Sequence, residues 1–114
     1  PTRPLAARRR GGDTVTAIAD STARVLGERT RVRPLLTIRP GGRDSAGLDA
    51  RARRRNLSRR VAIRSPPTRT DRASTSSTIL VDDVLTTGAT AAESVRTLAE
   101  HGVSVDLVVV ITAA

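Results

Sequence analysis

Half of the large aliphatic side chains crowd into the last third of this sequence, and that distribution decides where a core can form. Residues 78–112 hold 14 of the 27 Val, Leu and Ile residues. Residues 39–77 hold only four of them, with 11 Arg and three acids, a local charge of +8. The last third therefore reads as core and the middle as a solvated or ligand-facing excursion. No aromatic residue is present among the 114, so the core has to be built from 12 Val, 10 Leu, 5 Ile and 16 Ala. Val, Leu and Ile together make about 24% of the chain, above the roughly 20% below which disorder is the expectation. One modest domain spanning residues 1–114 is expected.

Composition also excludes several chemistries. With no Cys, a disulfide framework, a thiolate zinc site and a cysteine nucleophile are absent from this sequence. The longest apolar run, 105–111, is broken by Asp106 and is far short of the roughly 20 residues that cross a bilayer. The Arg-rich beginning has no apolar stretch after it, so no signal peptide is read. No membrane partner and a cytoplasmic location are the expectations. Every basic residue is Arg, and the net charge of +9 favours polyanions, either nucleic acid or a phosphorylated small molecule. Charge alone does not choose between them.

Periodicity locates the elements. Asp13 and Gly27 bracket residues 14–26, where Val15, Ile18, Ala19, Thr22, Val25 and Leu26 recur at helical spacing, with Asp13 as N-cap and Gly27 as C-cap. Residues 32–38 suggest a short strand, weakened by Pro34, which fits only a strand start or an edge. Residues 61–63 suggest a weaker strand, and the Pro-, Ser-, Thr- and Arg-rich stretch 64–77 a surface loop. A compact strand over 78–81 leads into Asp82-Asp83. A helix follows over about 89–100, with Thr90-Ala91-Ala92-Glu93 as a capping box and Val95, Leu98 and Ala99 facing the core. His101-Gly102 ends it. Residues 103–111 then read as a strand covered on both faces. Strand, Gly-containing turn, helix and strand make a βαβ unit, so the fold class is α/β with a parallel sheet.

The residues 78–90, Thr-Ile-Leu-Val-Asp-Asp-Val-Leu-Thr-Thr-Gly-Ala-Thr, carry the sharpest chemical pattern. Two carboxylates end a strand, a turn rich in hydroxyls follows, and a helix begins. Ligands in open α/β sheets bind at that end of the strands. Free N–H groups and the positive helix end favour a phosphate, and Gly88 lets the backbone approach it. Thr86, Thr87 and Thr90 offer further hydroxyl donors. The acids would repel an anion unless they face sugar hydroxyls or a metal, so the segment reads as a cradle for ribose 5-phosphate.

On these residues the chain resembles the type I phosphoribosyltransferases, whose signature for 5-phosphoribosyl-1-pyrophosphate (PRPP) looks like residues 81–90. Arg10-Gly11-Gly12-Asp13, Asp44-Ser45-Ala46-Gly47-Leu48 and Arg53-Arg54-Arg55-Asn56-Leu57 resemble the ComF (competence protein F) branch of that family. The resemblance implies a phosphoribosyltransferase core whose first strand would precede Pro1. It implies that Asp82 and Asp83 act at the catalytic centre by holding the ribose hydroxyls, and that Thr86, Thr87, Gly88, Ala89 and Thr90 wrap the 5-phosphate. Arg3, Arg8, Arg9 and Arg10 would form a pyrophosphate loop. Residues 39–60 would form a flexible hood, with Arg53, Arg54 and Asn56 over the reacting centre. Mg²⁺ would be carried with PRPP and touched by Asp82 and Asp83 through water. The implied reaction moves a phosphoribosyl group to a nucleobase-type acceptor and releases pyrophosphate, and a homodimer is a further expectation. Thr86 stands where purine-salvage relatives carry an acid, which leaves the acceptor base open.

Two other readings stay open. The same fold can serve as a non-catalytic PRPP-binding module in DNA uptake or nucleotide sensing. Alternatively, the Arg-rich segment can make the chain a basic nucleic-acid-binding domain, since phosphate neutralisation needs only clustered Arg. The lack of aromatics weighs against base stacking on single strands. His101 reads as a helix C-terminal residue, where a cation is mildly favourable, and Glu28 and Asp106 as surface or edge charges.

Overall fold

A computed structural model describes residues 13–39, 60–73, 75–85 and 87–113. The described order is α1 (Thr14–Leu26), β1 (Leu36–Ile38), β2 (Val61–Ile63), β3 (Ile79–Leu85), α2 (Ala89–Glu100) and β4 (Leu107–Ala113). The domain is a small α/β unit containing a parallel pair, β3–β4, and an antiparallel ribbon, β1–β2. The sequence reading assigns no pairing to the two short strands of the ribbon. They run antiparallel, with Leu36 opposite Ile63 and Ile38 opposite Val61.

Asp13 caps α1 as the sequence predicts. Its Oδ1 accepts the Thr16 N–H at 3.3 Å and its Oδ2 the Thr16 hydroxyl at 2.8 Å. Gly27 ends the helix at φ 95°, with its N–H donated to the Ala23 carbonyl. The apolar face expected to be buried is mostly open, however. Val15 is buried, but Ile18, Val25 and Leu26 are exposed. Among the described residues α1 packs only against β3 to any extent, and one short strand is too narrow to cover a four-turn face.

Pro34 lies outside β1, which starts two residues later. That is the expected consequence of a missing N–H. The core is Leu35, Leu80, Leu98 and Val103, with Leu36, Ile63, Val95 and Val105 packed on it. It sits where α2 meets β2 and β3.

Two features of the βαβ unit correct the sequence reading. β3 continues past Asp82-Asp83 to Leu85, paired through Val84↔Thr112 and Leu85↔Ala113. β4 begins at Leu107 rather than 103, and six of its seven residues are exposed, with only Val110 half-buried. The continuous apolar run 107–111 was expected to lie between two layers. Here β4 is an edge strand whose hydrophobicity finds no second layer among the described residues.

Candidate functional site

The site the sequence points to begins inside β3. Side chains alternate across a strand, so Asp82 shares a face with Leu80 and Asp83 projects to the other side. Burial agrees: Leu80 is 8% and Asp82 4% exposed, whereas Asp83 is half-buried. The Asp82 carboxylate accepts the Asp83 backbone N–H at 3.1 Å, which ties the side chain to the strand. The two carboxylates thus stand at adjacent positions without sharing a face.

The turn leads directly into α2. Gly88 is the N-cap at φ 72°, ψ 0°, a left-handed conformation that glycine adopts without the Cβ penalty. A Cβ built there would meet Leu85 Cδ1 at an ordinary 3.7 Å, so the requirement is for the dihedral rather than for space inside the protein. The Thr87 hydroxyl accepts the Ala89 N–H at 3.4 Å, leaving its own proton to donate. The Gly88 carbonyl takes the Ala92 N–H at 2.9 Å. The N–H groups of Thr90 and Ala91 have no carbonyl four residues back inside the helix. They stand at the positive end of a 12-residue helix with the Thr87 hydroxyl beside them, an arrangement able to take a phosphate monoester.

The capping box predicted at 90–93 does not form. With Gly88 as cap, Thr90 lies inside the first turn, and its carbonyl accepts the Ser94 hydroxyl at 2.8 Å. Glu93 is buried and pairs with Arg96, whose Nε donates to Oε2 at 3.0 Å, while a second guanidinium nitrogen reaches Glu100. The Glu93 hydrogen bonds and the two carboxylates hold the Arg96 guanidinium pKa above its ordinary value. The buried face of α2 is Glu93, Ser94, Thr97 and Leu98, with Val95 half-buried and Ala99 exposed. It is rotated from the aliphatic face read in the sequence. Polar side chains can occupy it because Ser94 bonds the helix backbone and Glu93 is neutralised by Arg96.

Two polar fixtures escaped the sequence reading. Asp106, read as an edge charge, clamps the start of the parallel pair: its Oδ2 accepts the Thr78 N–H at 2.7 Å while its own N–H donates to the Thr78 carbonyl at 2.9 Å. Asp71 fastens the loop after β2. Its Oδ2 accepts the Thr68 N–H at 2.7 Å and hydroxyl at 2.8 Å, and Arg33 lies 3.0 Å away. Desolvation pulls the Asp71 carboxyl pKa up, but the Thr68 bonds and Arg33 outweigh it and hold the group below its usual 3.8. The Thr68-x-x-Asp71 spacing is a turn signature that could have marked this fixture. His101 closes α2, with Nδ1 2.8 Å from the Thr97 carbonyl.

Of the site residues read from the sequence, Asp82, Asp83, Thr87, Gly88, Ala89 and Thr90 are described, and the chain brings them together along β3 and its turn. Thr86, the pyrophosphate-loop residues Arg3, Arg8, Arg9 and Arg10, and the hood residues Arg53, Arg54 and Asn56 lie outside the described residues. Among the described residues no three His, Asp or Glu side chains assemble as a metal site, and no helix is long and apolar enough to cross a membrane. A shallow groove at the end of α1, lined by Asp20, Ala23, Arg24, Gly27 and Glu28, shares no residue with the β3–α2 turn. No family model, curated protein or solved structure matches this chain.

Proposed function

We propose that the protein binds PRPP and belongs functionally with the phosphoribosyltransferases, moving a phosphoribosyl group to a nucleobase-type acceptor. The observation that carries this reading is the turn into α2. A left-handed Gly88 cap, the Thr87 hydroxyl and the N–H groups of a helix start all follow a strand that carries Asp82-Asp83.

The 5-phosphate would sit at 87–90, where N–H dipoles rather than net charge hold it. The carboxylates would hold ribose hydroxyls and favour positive charge developing on the ring. An acceptor nitrogen attacks C1 and loses its proton, the C1–O bond breaks, and pyrophosphate leaves with the electron pair. Mg²⁺ would enter as part of the PRPP complex, screening the departing pyrophosphate. Strand alternation carries a consequence for this reading. Both acids can reach one ribose only if β3 turns after Asp82, so the pairs Val84↔Thr112 and Leu85↔Ala113 would open when the ligand binds.

Calorimetric titration with PRPP and Mg²⁺ tests the assignment. Gly88→Val, which places a β-branched residue at φ 72° and fills the approach to the amides, is expected to lower affinity by at least tenfold. Gly88→Ala is expected to lower it less. Unchanged affinity in a folded Gly88→Val protein would refute the site.

A further inference from the structure

We propose a second anion-binding surface on the β1–β2 ribbon, distinct from the helix-start cradle and suited to the phosphate backbone of duplex nucleic acid. Over residues 31–39 and 60–72 the sequence places seven Arg (31, 33, 39, 60, 64, 69 and 72) and one acid, Asp71, a local charge of +6. Two of these arginines are engaged: Arg33 with Asp71, and Arg72, whose Nε donates to the His101 carbonyl at 3.1 Å. Arg31, Arg39, Arg60, Arg64 and Arg69 have no ion pair among the described residues, and all but the half-buried Arg60 are exposed.

Their placement adds to the charge. The Arg39 N–H donates to the Arg60 carbonyl at 2.8 Å, one step beyond the Ile38↔Val61 pair, so the two side chains stand directly across from each other. Like charges facing each other across an antiparallel pair are destabilising, and an anion bridging them removes that cost. Arg64 stands at the other end of the ribbon, its N–H held 2.7 Å from the Leu35 carbonyl.

The rest of the ribbon selects among polyanions. None of the exposed large hydrophobic residues lies on it, so it has no wedge for an anionic bilayer. The chain has no aromatic residue on which unpaired bases could stack. What remains is contact with evenly spaced phosphates, without reading of sequence.

Fluorescence anisotropy with mixed-sequence duplex DNA, at 50 to 200 mM salt, tests this on the full chain. The triple variant Arg39→Gln, Arg60→Gln, Arg64→Gln is expected to bind at least tenfold more weakly. Its slope of log affinity against log salt is expected to be shallower by about 0.9 for each phosphate that the variant no longer neutralises. Arg24→Gln with Arg29→Gln, off the ribbon, is expected to change neither, and circular dichroism checks that each variant folds. Retained affinity and slope in the folded triple variant would overturn the proposal, as would tighter binding to anionic phospholipid vesicles or to single strands than to duplex. PRPP affinity unchanged in a variant outside residues 39–60, Arg64→Gln with Arg69→Gln, that weakens duplex binding would separate this surface from the cradle, while a loss of both in that variant would overturn their independence.

Discussion

The βαβ unit and the β1–β2 ribbon carry opposite net charge, and the two anion sites proposed on them would work by opposite means. Residues 78–112 carry one Arg and five acids, a net charge of −4, whereas 31–39 with 60–72 carry +6. The apolar unit offers a phosphate only directional groups, namely helix-start amides and a hydroxyl at a left-handed glycine. The ribbon offers bulk positive charge with little geometry. The first should select one phosphate monoester and respond weakly to salt. The second should attract any dense row of phosphates and release it as salt rises.

The largest effect expected on this contrast comes from Asp82→Asn combined with Asp83→Asn. Each charge-assisted bond to a ribose hydroxyl is worth roughly 1.5–3 kcal/mol, so affinity for ribose 5-phosphate should fall by that amount per acid. Inorganic phosphate should bind as well or better once the repulsion is gone, and duplex binding at the ribbon should not change. Equal losses for phosphate and ribose 5-phosphate, measured by titration calorimetry, would make the acids structural.

Next in size is the asymmetry within the βαβ unit itself. Leu98, 4% exposed, lies in the core, while Leu107 on β4 is 53% exposed. Leu98→Ala should cost about 2–5 kcal/mol of stability, and Leu107→Ala should stay within about 0.5 kcal/mol. Urea denaturation compares the two, and a large loss at Leu107 would mean that β4 is covered in solution.

The smallest effect concerns the ion pair that anchors the ribbon. The folded Asp71 carboxyl titrates below its usual 3.8, so its contribution to stability is present above about pH 4 and is lost as the pH falls through the lowered value. The urea midpoint of Asp71→Asn should lie below that of the parent protein at neutral pH, and the gap should close in acid. A gap that persists in acid would mean that the loss does not come from the Asp71 charge.

The two regions also differed in how far they could be read from sequence. Local signals carried the helices: Asp13, Gly27 and His101-Gly102 mark helix ends through side-chain or backbone bonds within a few residues. The β3–turn–α2 segment was legible for the same reason, since its glycine and hydroxyls act on neighbours in the chain. The parallel β3–β4 pairing was legible from the βαβ order, but the pairing of the ribbon was not. The antiparallel ribbon joins residues more than twenty apart, and the exposure of β4 depends on what lies next to it rather than on its own apolar run. The rotation of α2 onto Glu93, Ser94 and Thr97 was hidden because polar residues become tolerable in a core only once Arg96 and a backbone carbonyl satisfy them.

The central claim is that a small sugar phosphate goes to the helix start and a polyanion to the ribbon. Backbone amide NMR during titration with ribose 5-phosphate at 150 mM salt tests it most directly. Saturable shifts at Thr87, Gly88, Ala89 and Thr90, with the amides of Arg39, Arg60 and Arg64 unmoved, are the result expected. Shifts confined to the ribbon arginines, with the 87–90 amides unmoved, would contradict it.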